Sequence, residues 1–135
     1  MNKLFVDTSG WIALINRSDN LHATTTQIYN DRFSTGWDFI THTGIMLEVG
    51  NGMSRVRRRH LAVQLKARID ASARIEVVRL TEELYENGWQ MYTTRSDKDW
   101  GIVGCISFVM MQERGLTEAL TADQHLQQAG FITLL

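Results

Sequence analysis

The sequence predicts an α/β fold of three layers, helices on either side of a central parallel sheet of four to five strands, formed by residues 1–135 as a single domain. Three observations carry that prediction. Short β-branched or apolar runs alternate with helix-patterned stretches along the whole chain, the arrangement that builds a parallel sheet covered on both faces. The apolar run Leu4-Phe5-Val6 stops at Asp7-Thr8-Ser9-Gly10 and a second apolar segment, Trp11-Ile12-Ala13-Leu14, starts at once, which is the opening of a βα unit. Finally, the 135 residues hold no proline, low-complexity stretch or repeat that would divide them, and that length suits one domain of the commonest size.

Taken in order, Leu4 to Val6 reads as a strand, Ser9 to Asn16 as a short helix and Leu21 to Phe33 as a second helix, with Leu21, Thr24, Ile28 and Phe33 available to a core. Trp37 to Thr41 is strand-like. Thr43 to Met53 carries Ile45, Met46, Val49 and Met53 at spacings of three and four, which fits a helix. Arg57 to Ser72 continues helically, with Leu61, Leu65 and Ile69 on one face and the basic residues on the others. Ile75 to Leu80 is β-branched and reads as a strand. Thr81-Glu82-Glu83 then offers a capping hydroxyl followed by acids in the first turn, opening a helix to Thr94 with Leu84, Tyr85, Trp89 and Tyr92 inward. From Gly101 to Arg114 the series Ile102, Cys105, Ile106, Val109, Met110 is the clearest helical pattern, and Gly115 is placed to end it. Ala119 to Thr121 reads as a brief strand, Gln124 to Ala129 as a short helix and Phe131 to Leu135 as a last strand.

Composition excludes several classes. The apolar runs, such as Phe108 to Met111, fall far short of the ~20 residues of a bilayer span. With one cysteine, Cys105, and no secretory leader pattern at the N-terminus, the expected setting is reducing and cytoplasmic. A net charge of −1 argues against a wholly basic nucleic-acid binder. The charge is unevenly spread, however, because Arg55, Arg57, Arg58, Arg59, His60, Lys66 and Arg68 lie close together. Such a patch either contacts phosphates or forms a solvated helix face.

The carboxylates point further. Asp7 and Asp123 each follow a strand, and sites in open α/β sheets gather at the C-terminal ends of strands. Asp7 is therefore either the cap of the next helix or a functional acid. Glu48 is a lone charge among Ile45, Met46, Leu47 and Val49, and would reach the same crevice if the two strands were neighbours. Carboxylates crowded in a crevice repel, by roughly 4 kcal/mol gross per pair at about 4 Å for an effective dielectric near 20. A divalent cation relieves that repulsion. Ligands that are all oxygen favour Mg²⁺ or Mn²⁺, and such an ion supports phosphodiester hydrolysis.

Phe5-Val6-Asp7-Thr8-Ser9, Thr43 through Glu48-Val49-Gly50-Asn51, Asp97-Lys98-Asp99-Trp100 with Cys105-Ile106-Ser107-Phe108, and Leu120-Thr121-Ala122-Asp123-Gln124-His125 with Gln128-Ala129-Gly130-Phe131 closely resemble PIN-domain proteins, among them the VapC-type toxins of bacterial toxin–antitoxin pairs. The four motifs span nearly the whole chain, in order. The resemblance implies a metal-dependent endoribonuclease using Mg²⁺ or Mn²⁺, with RNA as substrate, a small antitoxin as inhibitor and a homodimer as assembly. It implies Asp7, Glu48 and Asp123 as catalytic acids and metal ligands, with Thr8 and Thr121 at hydroxyl positions beside them as substrate-binding residues. Arg55 and Arg58 are added as candidate phosphate contacts on the strength of the basic patch.

One position departs from the family pattern. Where the resemblance implies a further acid, between the tryptophan and the cysteine, this chain reads Trp100-Gly101-Ile102-Val103-Gly104-Cys105, and the matching residue is Gly104. On a helix, Asp99 would point about 140° away from that position and Asp97 would lie roughly 10 Å from it, so either is more simply read as the helix cap. The alternative function is therefore a catalytically impaired PIN-like module that binds RNA or a protein partner. The four histidines show no metal-type spacing and read as surface or locally hydrogen-bonded imidazoles. Trp37, Trp89 and Trp100 read as packing residues rather than base-stacking platforms.

Overall fold

The apolar runs at Leu4 to Val6, Phe39 to Ile40 and Ala119 to Leu120 are completely buried, as expected of central strands covered on both faces. A computed structural model, described here over residues 2–135, arranges them in a five-stranded, wholly parallel sheet flanked by helices in three layers. Its strands are β1 (Lys3–Val6), β2 (Asp38–His42), β3 (Ile75–Val78), β4 (Glu118–Leu120) and β5 (Ile132–Thr133). The helices are α1 (Thr8–Ile15), α2 (His22–Ser34), α3 (Thr43–Gly52), α4 (Val56–Ala71), α5 (Glu82–Thr94), α6 (Ile102–Glu113) and α7 (Gln124–Gln128). Among the described residues, no helix is long and apolar enough to cross a membrane.

The spatial order is β3-β2-β1-β4-β5. The chain winds from β1 outward through β2 to β3, then returns to the other side of β1 for β4 and β5. The winding therefore reverses between β1 and β4, and that reversal opens a crevice beyond the strand ends. The register pairs Phe5 with Ala119 and Val6 with Leu120, so the segments after the two strands emerge side by side.

Local signals place most boundaries. Thr81 accepts a hydrogen bond from the Leu84 N–H at 3.1 Å and caps α5, while Gly115, with φ of +64°, supplies the left-handed residue just past α6. Other expectations fail. Gly101, with no side chain to offer, stands at the N-cap of α6; Asp97 pairs instead with Arg95 at 3.2 Å, and Asp99 is exposed. Thr25, not Thr24, faces inward from α2. Phe33 is 46% exposed, its ring covered by the Arg74 guanidinium at 4.2 Å. Tyr85, Trp89 and Tyr92 lie open on α5, because the face turned to α6 is made by Leu84, Gly88 and Met91. A Cβ at residue 88 would stand 2.4 Å from Ile106 Cγ1, so the glycine lets the two helices close together.

Gly10 has a similar duty at the crevice. A Cβ there would lie 2.3 Å from the Leu120 carbonyl oxygen, a backbone atom that cannot step aside. Gly10→Ala is therefore expected to destabilise the protein by about 3 kcal/mol, checked as a fall in the urea midpoint, since the first turn of α1 must move off β4.

Candidate active site

Asp7 occupies the N-cap position of α1, yet its side chain makes no capping hydrogen bond. It turns to the neighbouring strand instead, where Thr121 Oγ1 donates to Asp7 Oδ2 at 2.8 Å. Thr121 is completely buried and is itself held by Ser9, whose Oγ lies 3.1 Å from Thr121 Oγ1 and accepts from the Ala122 N–H at 3.0 Å. The Asp123 N–H also donates to Thr121 Oγ1 at 3.0 Å. These contacts fix the turn after β4 against the turn after β1. The sequence gives Thr121 a substrate-binding place; its burial makes it a support for Asp7 instead.

Asp123 is the residue that caps, accepting from the His125 N–H at 2.9 Å through Oδ1 at the start of α7. The carboxylate stays 42% exposed, with His125 Nδ1 3.4 Å from the same oxygen. Glu48 projects from α3 across the crevice, and Thr8 Oγ1 donates to its Oε1 at 2.6 Å. Thr8 thus aims Glu48 much as Thr121 aims Asp7. All three acids line one cleft of about 720 Å³, together with Gly104 and His125.

Electrostatics register the crowding. Burial is the main force lifting the Asp7 carboxyl to about 6; the Thr121 hydroxyl and the Thr8 backbone amide oppose it, and the charges of Asp123 and Glu48 add to it. A carboxylate lifted chiefly by burial, with two further carboxylates nearby, is a group that a cation would stabilise. Among the described residues no three His, Cys, Asp or Glu side chains stand close enough to grip one ion together. The donor set is nonetheless hard oxygen, and Mg²⁺ commonly takes one or two carboxylates and fills the rest of its shell with water. The residues fit such an ion loosely held. Gly104 marks where a further ligand would enter: a Cβ there meets only Phe108 Cζ, at 3.7 Å.

A family model described as the PIN domain matches residues 4–132. The chain belongs to the PIN-domain family. Two Mycobacterium tuberculosis strains each have a curated relative, the 23S rRNA-specific endonuclease VapC20, 28% identical over 129 residues that cover 96% of this PIN domain and 95% of the relative. The crystal structure of Mycobacterium tuberculosis VapC20, a sarcin-ricin loop cleaving toxin, matches with a TM-score of 0.85 at 27% identity and 96% coverage of both chains. VapBC2 from Rickettsia felis, bound to a DNA fragment from its promoter, shares the fold at a TM-score of 0.66 and 11% identity, covering 97% of this chain and 96% of that one. FitAcB from Neisseria gonorrhoeae does so at 0.64 and 14%, with 96% and 95% covered.

Other predicted residues of this PIN domain lie elsewhere. Arg55 and Arg58 are exposed near the start of α4 and do not line the cleft. Neither Asp97 nor Asp99, in the loop before α6, lines it, so neither brings a carboxylate to the cleft beside Gly104. Sequence reasoning missed Ser9, whose hydroxyl knits the two turns, and His125, which shares the cleft. It also missed the depth of His42. The Ile45 N–H donates to His42 Nδ1 at 3.3 Å, which leaves the proton on Nε2, 2.8 Å from Ser107 Oγ; Ser107 Oγ in turn donates to the Val103 carbonyl at 3.0 Å. This fully buried relay ties the helix bearing Glu48 to the helix bearing Gly104. Burial lowers the imidazole to about 4, so it works as a neutral strut.

Proposed function

We propose that the protein is a PIN-type endoribonuclease, the toxin of a toxin–antitoxin pair, hydrolysing RNA phosphodiesters with Mg²⁺ or Mn²⁺. The observation that carries this reading is the adjacency of β1 and β4, which puts Asp7 and Asp123 on one crevice opposite Glu48. Asp7 and Asp123 would hold the ion, with water completing its shell and Glu48 beside it to orient one of those waters, and the ion would supply positive charge for the scissile phosphate and for that water. The chain's own residues do the rest. Thr121 fixes the Asp7 carboxylate, Thr8 fixes Glu48 within reach of a water to be oriented, and the α7 cap fixes Asp123. Arg55 and Arg58 would meet phosphates away from the cleft, where sequence-blind contacts set affinity and salt dependence.

The likeness to VapC20 supports 23S rRNA as the first substrate to test, and the likeness to VapBC2 and FitAcB supports a small antitoxin partner. A homodimer and a cytoplasmic location belong to the same proposal. The decisive experiment incubates the purified chain with 23S rRNA in Mg²⁺, in Mn²⁺ and in EDTA. Discrete cleavage that requires a divalent ion is the expected result. Absence of cleavage with intact binding would favour the second reading, an impaired PIN module that binds RNA or a protein, which Gly104 specifically favours.

A further inference from the structure

Tyr85, Trp89 and Tyr92 form a ladder of edge-to-face rings along α5, with centroids 6.3 Å and then 5.3 Å apart. They are 44%, 39% and 46% exposed, and neighbouring aromatic rings left open to water mark a recognition surface. The ladder leads somewhere. Trp89 and Tyr92 line a groove of about 770 Å³ with the cations Arg95 and Lys98 and the acid Asp99, and this groove shares Trp100, Gly101 and Ile102 with the acidic cleft. Arg95 lies 4.8 Å over the Trp100 ring at that junction.

Open ring faces accept bases, cations accept phosphates, and the groove they form runs into carboxylates. That combination suits a single-stranded nucleic acid. We propose that the groove between α5 and the start of α6 carries the RNA segment flanking the scissile phosphate, with a base stacked on Trp89 or Tyr92 and the backbone passing Arg95 and Lys98 into the cleft. The proposal rests on the RNA-hydrolysing reading. Arg95 and Lys98 both approach Asp97, at 3.2 and 3.9 Å, so stacking supplies more of the affinity than charge does. A protein partner is disfavoured because the groove is continuous with the cleft and its lining includes the polar Thr93, Ser96 and Asp99.

The test measures anisotropy of a fluorescein-labelled single-stranded RNA in EDTA for the wild type, Trp89→Ala, Trp89→Phe and Arg95→Gln, with light-scattering mass for each and cleavage of the same RNA in Mg²⁺. Trp89→Ala is expected to weaken binding about tenfold, while Trp89→Phe keeps most of it and the salt dependence is unchanged. Arg95→Gln is expected to flatten the salt dependence. If the wild type cleaves and Trp89→Ala binds and cleaves as well as it does, the groove is wrong while the RNA reading stands. If the wild type neither binds nor cleaves, both fall. A change of mass in Trp89→Ala makes the ladder a contact between proteins and overturns the proposal.

Discussion

Gly104→Asp raises divalent-dependent RNA cleavage on the order of tenfold or more, because a further oxygen ligand tightens the hold on the ion where charge develops. The structure leaves room for it. The half-buried glycine lines the cleft with Asp7, Glu48 and Asp123, and an added Cβ meets nothing nearer than 3.7 Å. Helix propensity barely changes, since aspartate and glycine differ by only a few tenths of a kcal/mol in a helix interior. The cost is electrostatic instead: a new carboxylate joins two that already lift Asp7. In EDTA the variant is therefore expected to melt below the wild type. With Mg²⁺ its melting temperature should climb by more than the wild type's, because tighter binding to the folded state stabilises it more. Melting curves with and without Mg²⁺, beside a cleavage assay, check both halves. A wild type that already cleaves fast and is unmoved by Gly104→Asp would show that the site needs no acid at this position.

The readable parts of this protein are those set by local chemistry. The alternation of strands and helices, the Thr81 cap and the Gly115 stop depend on residues within a turn of one another, and the structure places each where the sequence predicts it. The acids were legible because each follows a strand or interrupts an apolar stripe. What the pattern hides is what covers a stripe. On α5 the apolar residues Leu84, Tyr85, Trp89 and Tyr92 look like a buried face, whereas burial follows Leu84, Gly88 and Met91. A glycine contributes nothing to a hydrophobic pattern, although here it is the point of closest approach to α6. The His42–Ser107 bond joins residues 65 apart in sequence, beyond any local signal. Thr121, read as the end of a strand, instead turns its hydroxyl to Asp7, and that contact marks where the β4 ladder stops.

Asp7→Asn is expected to abolish cleavage, by on the order of 100-fold or more, and to make the metal-free protein more stable at neutral pH. The second effect follows from proton linkage. Folding moves the Asp7 carboxyl from its ordinary 3.8 to about 6, which at 1.36 kcal/mol per pKa unit is about 3 kcal/mol. Between those values the folded state binds the extra proton, so its stability rises as pH falls and is lowest above 6. His42 does the opposite. Its imidazole falls from 6.5 to about 4 on folding, so the unfolded state binds the extra proton between those values and about 3 kcal/mol is lost as pH drops. In the wild type the two slopes nearly cancel over the same window. Asp7→Asn removes one of them and leaves the His42 slope exposed. The variant should thus melt roughly 10 °C above the wild type at pH 7 in EDTA, with the gap closing toward pH 4. Glu76 and Glu118, each held below the usual carboxylate range by a basic partner, destabilise both proteins alike in acid and drop out of the difference. Melting temperatures of the pair across that range in EDTA decide the point. A gap that is absent at pH 7, or that does not narrow with acid, would mean that Asp7 is not held under strain, and with it would go the physical reason for placing a cation in this cleft.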